Sequence, residues 1–219
     1  TLDGLVPADE DMALFDHQFD VAGRNFFIRC GQDVSCGSAF NKNDPFFVLQ
    51  NWFESAKKDV QSTCLGKIGR TDVISSLPSI LGSLLDDDTN RVLAPPLVHR
   101  LIRCNSDDQS AILHFLQSNF AKMKDRRANG LGFNQPLFVN VRLSDMMGPN
   151  GKPSIEDLTK IRDSALLNTG NSNLMDCKMW YVWPKYQHDD FYWKYPIEAA
   201  TKIPILLLNG VLDFETPSL

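Results

Sequence analysis

Ile203–Pro217 reads IPILLLNGVLDFETP. Within it Ile205–Leu208 is short, wholly apolar and branched, the composition of a strand buried on both faces of a parallel sheet. Asn209-Gly210 ends that run with turn chemistry. Asp213 follows, where open α/β sheets carry their ligand crevice, outside the carboxyl ends of the strands. Thr216-Pro217 then has the form of a helix start, Thr as N-cap and Pro at the first helical position. The order strand, turn, carboxylate, helix predicts an α/β fold with Asp213 at the edge of its ligand crevice. An ordinary strand-to-helix loop bearing a surface aspartate has the same order, and the residues alone leave both open.

The totals narrow the class. The chain has 219 residues, 43% hydrophobic and 22% charged, a balance that supports a real core. A net charge of -5 offers no electrostatic footprint for nucleic acid or an anionic membrane. No apolar run approaches the roughly 18 residues needed to span a bilayer. The first residues are Thr1-Leu2-Asp3-Gly4, without an initiator Met or a signal peptide, so the expectation is a piece of a longer protein. Cys30 and Cys36 stand close in RCGQDVSCGS, flanked by Gly31 and Gly37, and predict a short disulfide loop formed in an oxidising compartment. Reduced thiols or part of a metal site are the alternatives, although no second Cys or His pair supplies zinc spacing. Cys64, Cys104 and Cys177 leave one residue over.

Between the ends the pattern is helical. Met12, Phe15, Phe19, Ala22 and Phe26 form one apolar stripe, entered through Asp9, Glu10 and Asp11. Pro45 opens a second helix through Phe46, Leu49, Trp52, Phe53, Ala56 and Val60, which Gly66 and Gly69 are expected to break. Thr71 is the expected cap of a third, carrying Val73, Ile74, Leu77, Ile80, Leu81, Leu84 and Leu85, with Pro78 set to kink or divide it. Asp86-Asp87-Asp88 lacks the alternating ligands of a calcium loop and reads as solvated. Pro95-Pro96 starts a fourth helix that stops near Cys104-Asn105, and Ser106 is the expected cap of a fifth, with Ile112, Phe115, Leu116, Phe120 and Met123 inward. Lys122, Lys124, Arg126 and Arg127 suit that helix's C-terminal end. Pro136–Leu143 is strand-like and runs into Ser144-Asp145. Ser154 and Asp157 approximate a capping box for a helix through Ile155, Leu158, Ile161, Ala165 and Leu166. The aromatic run Trp180–Tyr195 would serve as a substrate wall or partner surface, or simply wedge a loop onto a core. His188-Asp189-Asp190 within it reads as solvated.

Asn209-Gly210-x-x-Asp213-x-x-Thr216-Pro217 resembles the acid-bearing turn of α/β-hydrolase serine peptidases of the proline-iminopeptidase and tripeptidyl-aminopeptidase family. Leu2-Asp3-Gly4 is similar to the end of that family's core strand before its cap, and Cys177 with Trp180 to the Cys-x-x-Trp that leads back. The resemblance implies that Asp213 orients the catalytic histidine. It also implies that Asp145, where the family has Glu, lies in the cap and holds a substrate's free amino group. A hydrolase triad further needs a Gly-x-Ser-x-Gly elbow and a His after the acid, and this sequence holds neither. The fold expected is therefore α/β, a largely helical cap of an α/β-hydrolase with two flanking parallel core strands. Residues 1–7 would end one core strand, 8–200 form the helical cap, and 201–219 hold the returning strand and the acid-bearing turn. The function expected is that of a fragment of a secreted, extracellular peptidase acting on short peptides, inactive by itself. Its partners would be a peptide substrate and the missing hydrolase core, with no nucleic acid and no membrane, and no cofactor or metal is implied. A stand-alone secreted helical binding module, or the cap of an esterase or lipase-like α/β-hydrolase, are the competing readings.

Overall fold

The computed structural model describes residues 14–128 and 154–168 and the single residue 212, with side chains of the first span described through 118. Among these residues 79% are helical and none is in a strand. Thr1–Val6, Pro136–Leu143 and Ile203–Leu208, the expected strands, lie outside the described residues, as do Met12 and the aromatic run.

Eight α-helices are described: α1 Phe15–Gln32, α2 Val34–Ala39, α3 Pro45–Lys58, α4 Cys64–Lys67, α5 Leu77–Asp86, α6 Ala94–Arg103, α7 Ser106–Ala128 and α8 Ile155–Ser164. Two of them organise the packing: α1 lies against α2, α3, α5 and α8, while α6 lies against α3, α4, α5 and α7. Phe19, Phe27, Leu49, Leu81, Leu85, Val98, Leu101 and Ile112 are buried in the shared core. Each such side chain contributes roughly 1.5–3 kcal/mol of burial, the term that packs helix on helix. The stripe on α1 is broader than a single face. Phe27 is fully buried and Phe26 is not, and the polar residues Asp16 and Gln18 are buried as well, because neighbours cover more than one side of this helix.

The ends of the helices follow their capping chemistry. Asp44 accepts from the Phe46 amide at 2.9 Å and Pro45 sits in the first turn of α3. That helix stops at Lys58, before the glycines. Asp59 turns its carboxylate onto the amides of Gln61 and Ser62, at 3.1 and 3.3 Å, and starts a 3-10 turn instead. Gly66 therefore does not break a helix but lies inside α4, with its α-carbon close against the Gln61 carbonyl, where a Cβ would collide. Gly69, at φ +69°, is the residue that does end this region. Pro78 divides the third expected helix as its chemistry requires: Thr71–Val73 is a 3-10 turn, and α5 begins with Pro78 in its first turn. Thr71 caps neither of them.

The cap of α7 is Asn105 and not Ser106. The Asp108 amide donates to Asn105 Oδ1 at 2.8 Å, and the Asn105 amide donates back to Asp108 Oδ2 at 3.2 Å. This is a reciprocal capping box written with Asn and Asp. Asp108 is fully buried and also accepts from Arg103 at 2.8 Å and from Arg100 at 3.1 Å, so it joins the end of α6 to the start of α7. Its charge-assisted bonds, led by Arg103, hold the carboxyl down at about 2. The box at α8 forms as expected, with the Asp157 amide donating to Ser154 Oγ at 3.0 Å.

Cys30 and Cys36 are bonded, with α-carbons 5.2 Å apart. They lie on two helices rather than on a loop, Cys30 near the end of α1 and Cys36 in α2. Asp33 makes the joint, accepting from the amides of Ser35 and Cys36 at 2.9 and 2.8 Å. The flanking glycines have a packing role: the position of a Cβ on Gly37 is taken by the Gly31 carbonyl. A second disulfide joins Cys64 at the start of α4 to Cys104, which ends α6 in the left-handed conformation at φ 53°. Cys177 lies outside the described residues.

Candidate functional site

The stretch after α8 is held in place by two helices that meet it at close range. The Leu167 amide donates to Asp20 Oδ1 on α1 at 2.7 Å, and the Leu167 side chain, fully buried, occupies the space that a Cβ on Gly23 would need. On the other side the Asn168 amide donates to the Pro78 carbonyl at 3.4 Å, and the Asn168 carbonyl packs where Gly82 lacks a side chain. Two glycines on separate helices thus make room for this stretch, Gly23 on α1 for the Leu167 side chain and Gly82 on α5 for the Asn168 backbone. Burial pushes the Asp20 carboxyl above its ordinary value, against the opposing pull of the Leu167 and Leu166 amides, His17 and Arg24.

This clamp builds one wall of a groove of about 800 Å³. The opposite wall is α3, through Gln50, Glu54 and Lys57, and the third side is the turn into α5, through Ser75, Ser76 and Ser79. The volume falls in the range of small-molecule sites. Lys57 bonds Glu54 at 3.0 Å and stands 5.0 Å from the centre of the Phe53 ring. Across the groove Arg162 bonds Asp163 at 2.6 Å. Among the groove's described lining residues the titratable side chains are Glu54, Lys57, Arg162 and Asp163.

Asp213, the candidate catalytic acid, and Asp145, the candidate substrate-binding residue, lie outside the described residues, so neither is placed relative to the groove. Cys30 and Cys36 are joined as expected, and two disulfides fit folding in an oxidising or extracellular environment. Among the described residues no three His, Cys, Asp or Glu side chains are grouped to hold a metal ion. None of the described helices is long and apolar enough to cross a membrane. Sequence reasoning passed over Asp20, Leu167 and the three serines near Pro78. Asp20 and Leu167 meet across the length of the chain and leave no local signature. The Ser-Ser-x-x-Ser spacing, by contrast, puts three hydroxyls within two turns and was there to be noticed.

Compared with protein-family models, curated proteins and solved structures, the chain matches none.

Proposed function

We propose that this chain is the helical cap, with its flanking core segments, of a secreted serine hydrolase of the aminopeptidase-like type, acting on short peptides. The observation that carries the reading is the acid-bearing turn Asn209–Pro217, following a disulfide-joined helical body that in turn follows the strand-like Thr1–Val6. Large helical excursions that leave a parallel sheet and return to it suit an α/β architecture, whose sites gather at the carboxyl edge. In the intact protein Asp213 would accept a hydrogen bond from the catalytic histidine and stabilise the imidazolium formed as the serine attacks. Asp145 would receive the substrate's free amino group. A self-contained helical core with two internal disulfides also supports the reading of a stand-alone secreted binding module, and an esterase-like parent would use the same cap.

The test uses the full-length reading frame that contains this chain. A fluorophosphonate probe is expected to label one serine of the intact secreted protein. Asp213→Asn should then lower turnover by about 10⁴, the loss seen when a triad histidine is given an amide partner. Absence of labelling, or turnover within a few-fold of wild type, sinks the hydrolase reading and leaves the binding module.

A further inference from the structure

α8 and the residues that follow it are held to the body in opposite ways. Of the ten residues of α8 only Leu158 is buried, whereas α5 and α6, of the same length, bury seven and five. Among the described residues Leu158 also stands outside the contiguous core that Leu167 joins. Lys160 pairs with Glu156 at 2.9 Å and Ser154 caps through Asp157, bonds made inside the helix and exposed to water. Exposed pairs of this kind add little, and a helix of this length does not persist alone in water. The burial of Leu158 and the cap at Ser154 therefore carry much of its order.

The stretch 165–168 is the reverse. Ala165, Leu167 and Asn168 are buried, and the notches at Gly23 and Gly82 together with the Asp20 carboxylate fix them to α1 and α5. The change from one regime to the other is abrupt, because Ala165 is extended, at φ -73° and ψ 125°, and ends the helix. Asn168 Nδ2 lies across that break, 3.3 Å from the Arg162 carbonyl of α8 and 3.4 Å from the Ala165 carbonyl. Should Arg162 move away, the Ala165 carbonyl still satisfies the Asn168 side chain, so no buried donor is orphaned. We propose that α8 is a lid on the groove, coming away from the body as a unit while Ala165–Asn168 stay clamped and act as its pivot. Its departure takes Arg162, Asp163 and Ser164 out of the groove wall and removes one of the two charge pairs that face each other there. Elements that gate a site come from the least stable part of a fold, and α8 has the sparse burial that marks them. Such a lid operates whatever the groove holds and whether or not the chain belongs to a hydrolase.

The test is NMR on the ¹⁵N-labelled full chain, combining hydrogen exchange in low urea with relaxation dispersion. The amides of residues 158–164 are expected to exchange through a local opening, faster than those of α1 and α5 and with a shallow dependence on urea. The Leu167 amide should stay protected with α1 and α5. Dispersion should show α8 and the amides of Ser75, Ser76 and Ser79 across the groove sharing one rate. Ser154→Ala, at an exposed position, should speed α8 exchange about fivefold and leave the Leu167 amide unchanged. The lid is refuted if the α8 amides exchange only with α1 and α5 in global unfolding, or if the Leu167 amide opens together with α8. It is refuted equally if Ser154→Ala leaves α8 exchange unmoved or speeds Leu167 as much, or if Ser75–Ser79 show no process at the rate of α8.

Discussion

Replacing Asp20 separates two roles that its carboxylate combines. Oδ1 satisfies the Leu167 amide at 2.7 Å in a place where Leu167 is fully buried, so Asp20→Ala leaves a buried donor without a partner. That loss costs about 1–3 kcal/mol, which for a chain of this size lowers Tm by roughly 2–10 °C. Asp20→Asn keeps an oxygen acceptor and removes the ionisation. Because burial, the largest influence, raises the folded-state pKa above 3.8, the folded chain takes up a proton before the unfolded chain does. The ionised carboxylate therefore subtracts stability at neutral pH, and the deficit closes as pH falls through the folded pKa toward 3.8. Asp20→Asn should accordingly match or exceed wild type at pH 7, and wild type should gain on it during acidification. Urea unfolding of the three proteins, followed by circular dichroism between neutral pH and the carboxylate range, reads both effects. If Asn is as damaging as Ala, or if wild type loses ground to Asn in acid, the negative charge itself holds the clamp and the argument fails.

Asp108 should show the opposite pH sign. Its pKa of about 2 means that stability present above the unfolded value near 3.9 is lost as pH falls toward the folded one. Asp108→Asn should cost about 2 kcal/mol at pH 7, less than a fully enclosed pair would, because both arginines are roughly half exposed. An acid-unfolding profile unchanged by the substitution would contradict this. For the disulfides, the chain-entropy model gives about 4 kcal/mol for the 40-residue separation of Cys64 and Cys104, against about 2 kcal/mol for the 6-residue separation of Cys30 and Cys36. Paired Cys→Ala variants measured by thermal unfolding should rank in that order, and a reversed ranking would mean that native packing outweighs the unfolded-state effect.

Much of the helical layout is legible in the residues themselves. Pro45, Pro78 and Pro95 each mark the first turn of a described helix, because a fixed φ and a missing N–H are harmless only there. Ser154 with Asp157 and the apolar faces of α5 and α6 follow from local spacing in the same way. Ser106 and Thr71 are chemically suitable, but Asn105 takes the role at α7 because Asp108 reciprocates and is anchored by two arginines from the preceding helix. Propensity sees a residue type and not the partner that selects it.

Sequence by itself determined the helical class of the described region, most helix starts and the Cys30–Cys36 bond, since all of these depend on residues near one another in the chain. Tertiary structure decided what the glycines are for, which cysteine answers Cys64, and how a groove is made. The space beside Gly23 and Gly82 is taken by Leu167 and Asn168, residues far from both along the chain. Nothing near Asp20 in the chain marks it as the acceptor for the Leu167 amide. Contacts between residues so far apart along the chain are set by how whole helices pack, and a periodicity of a few residues carries no record of them.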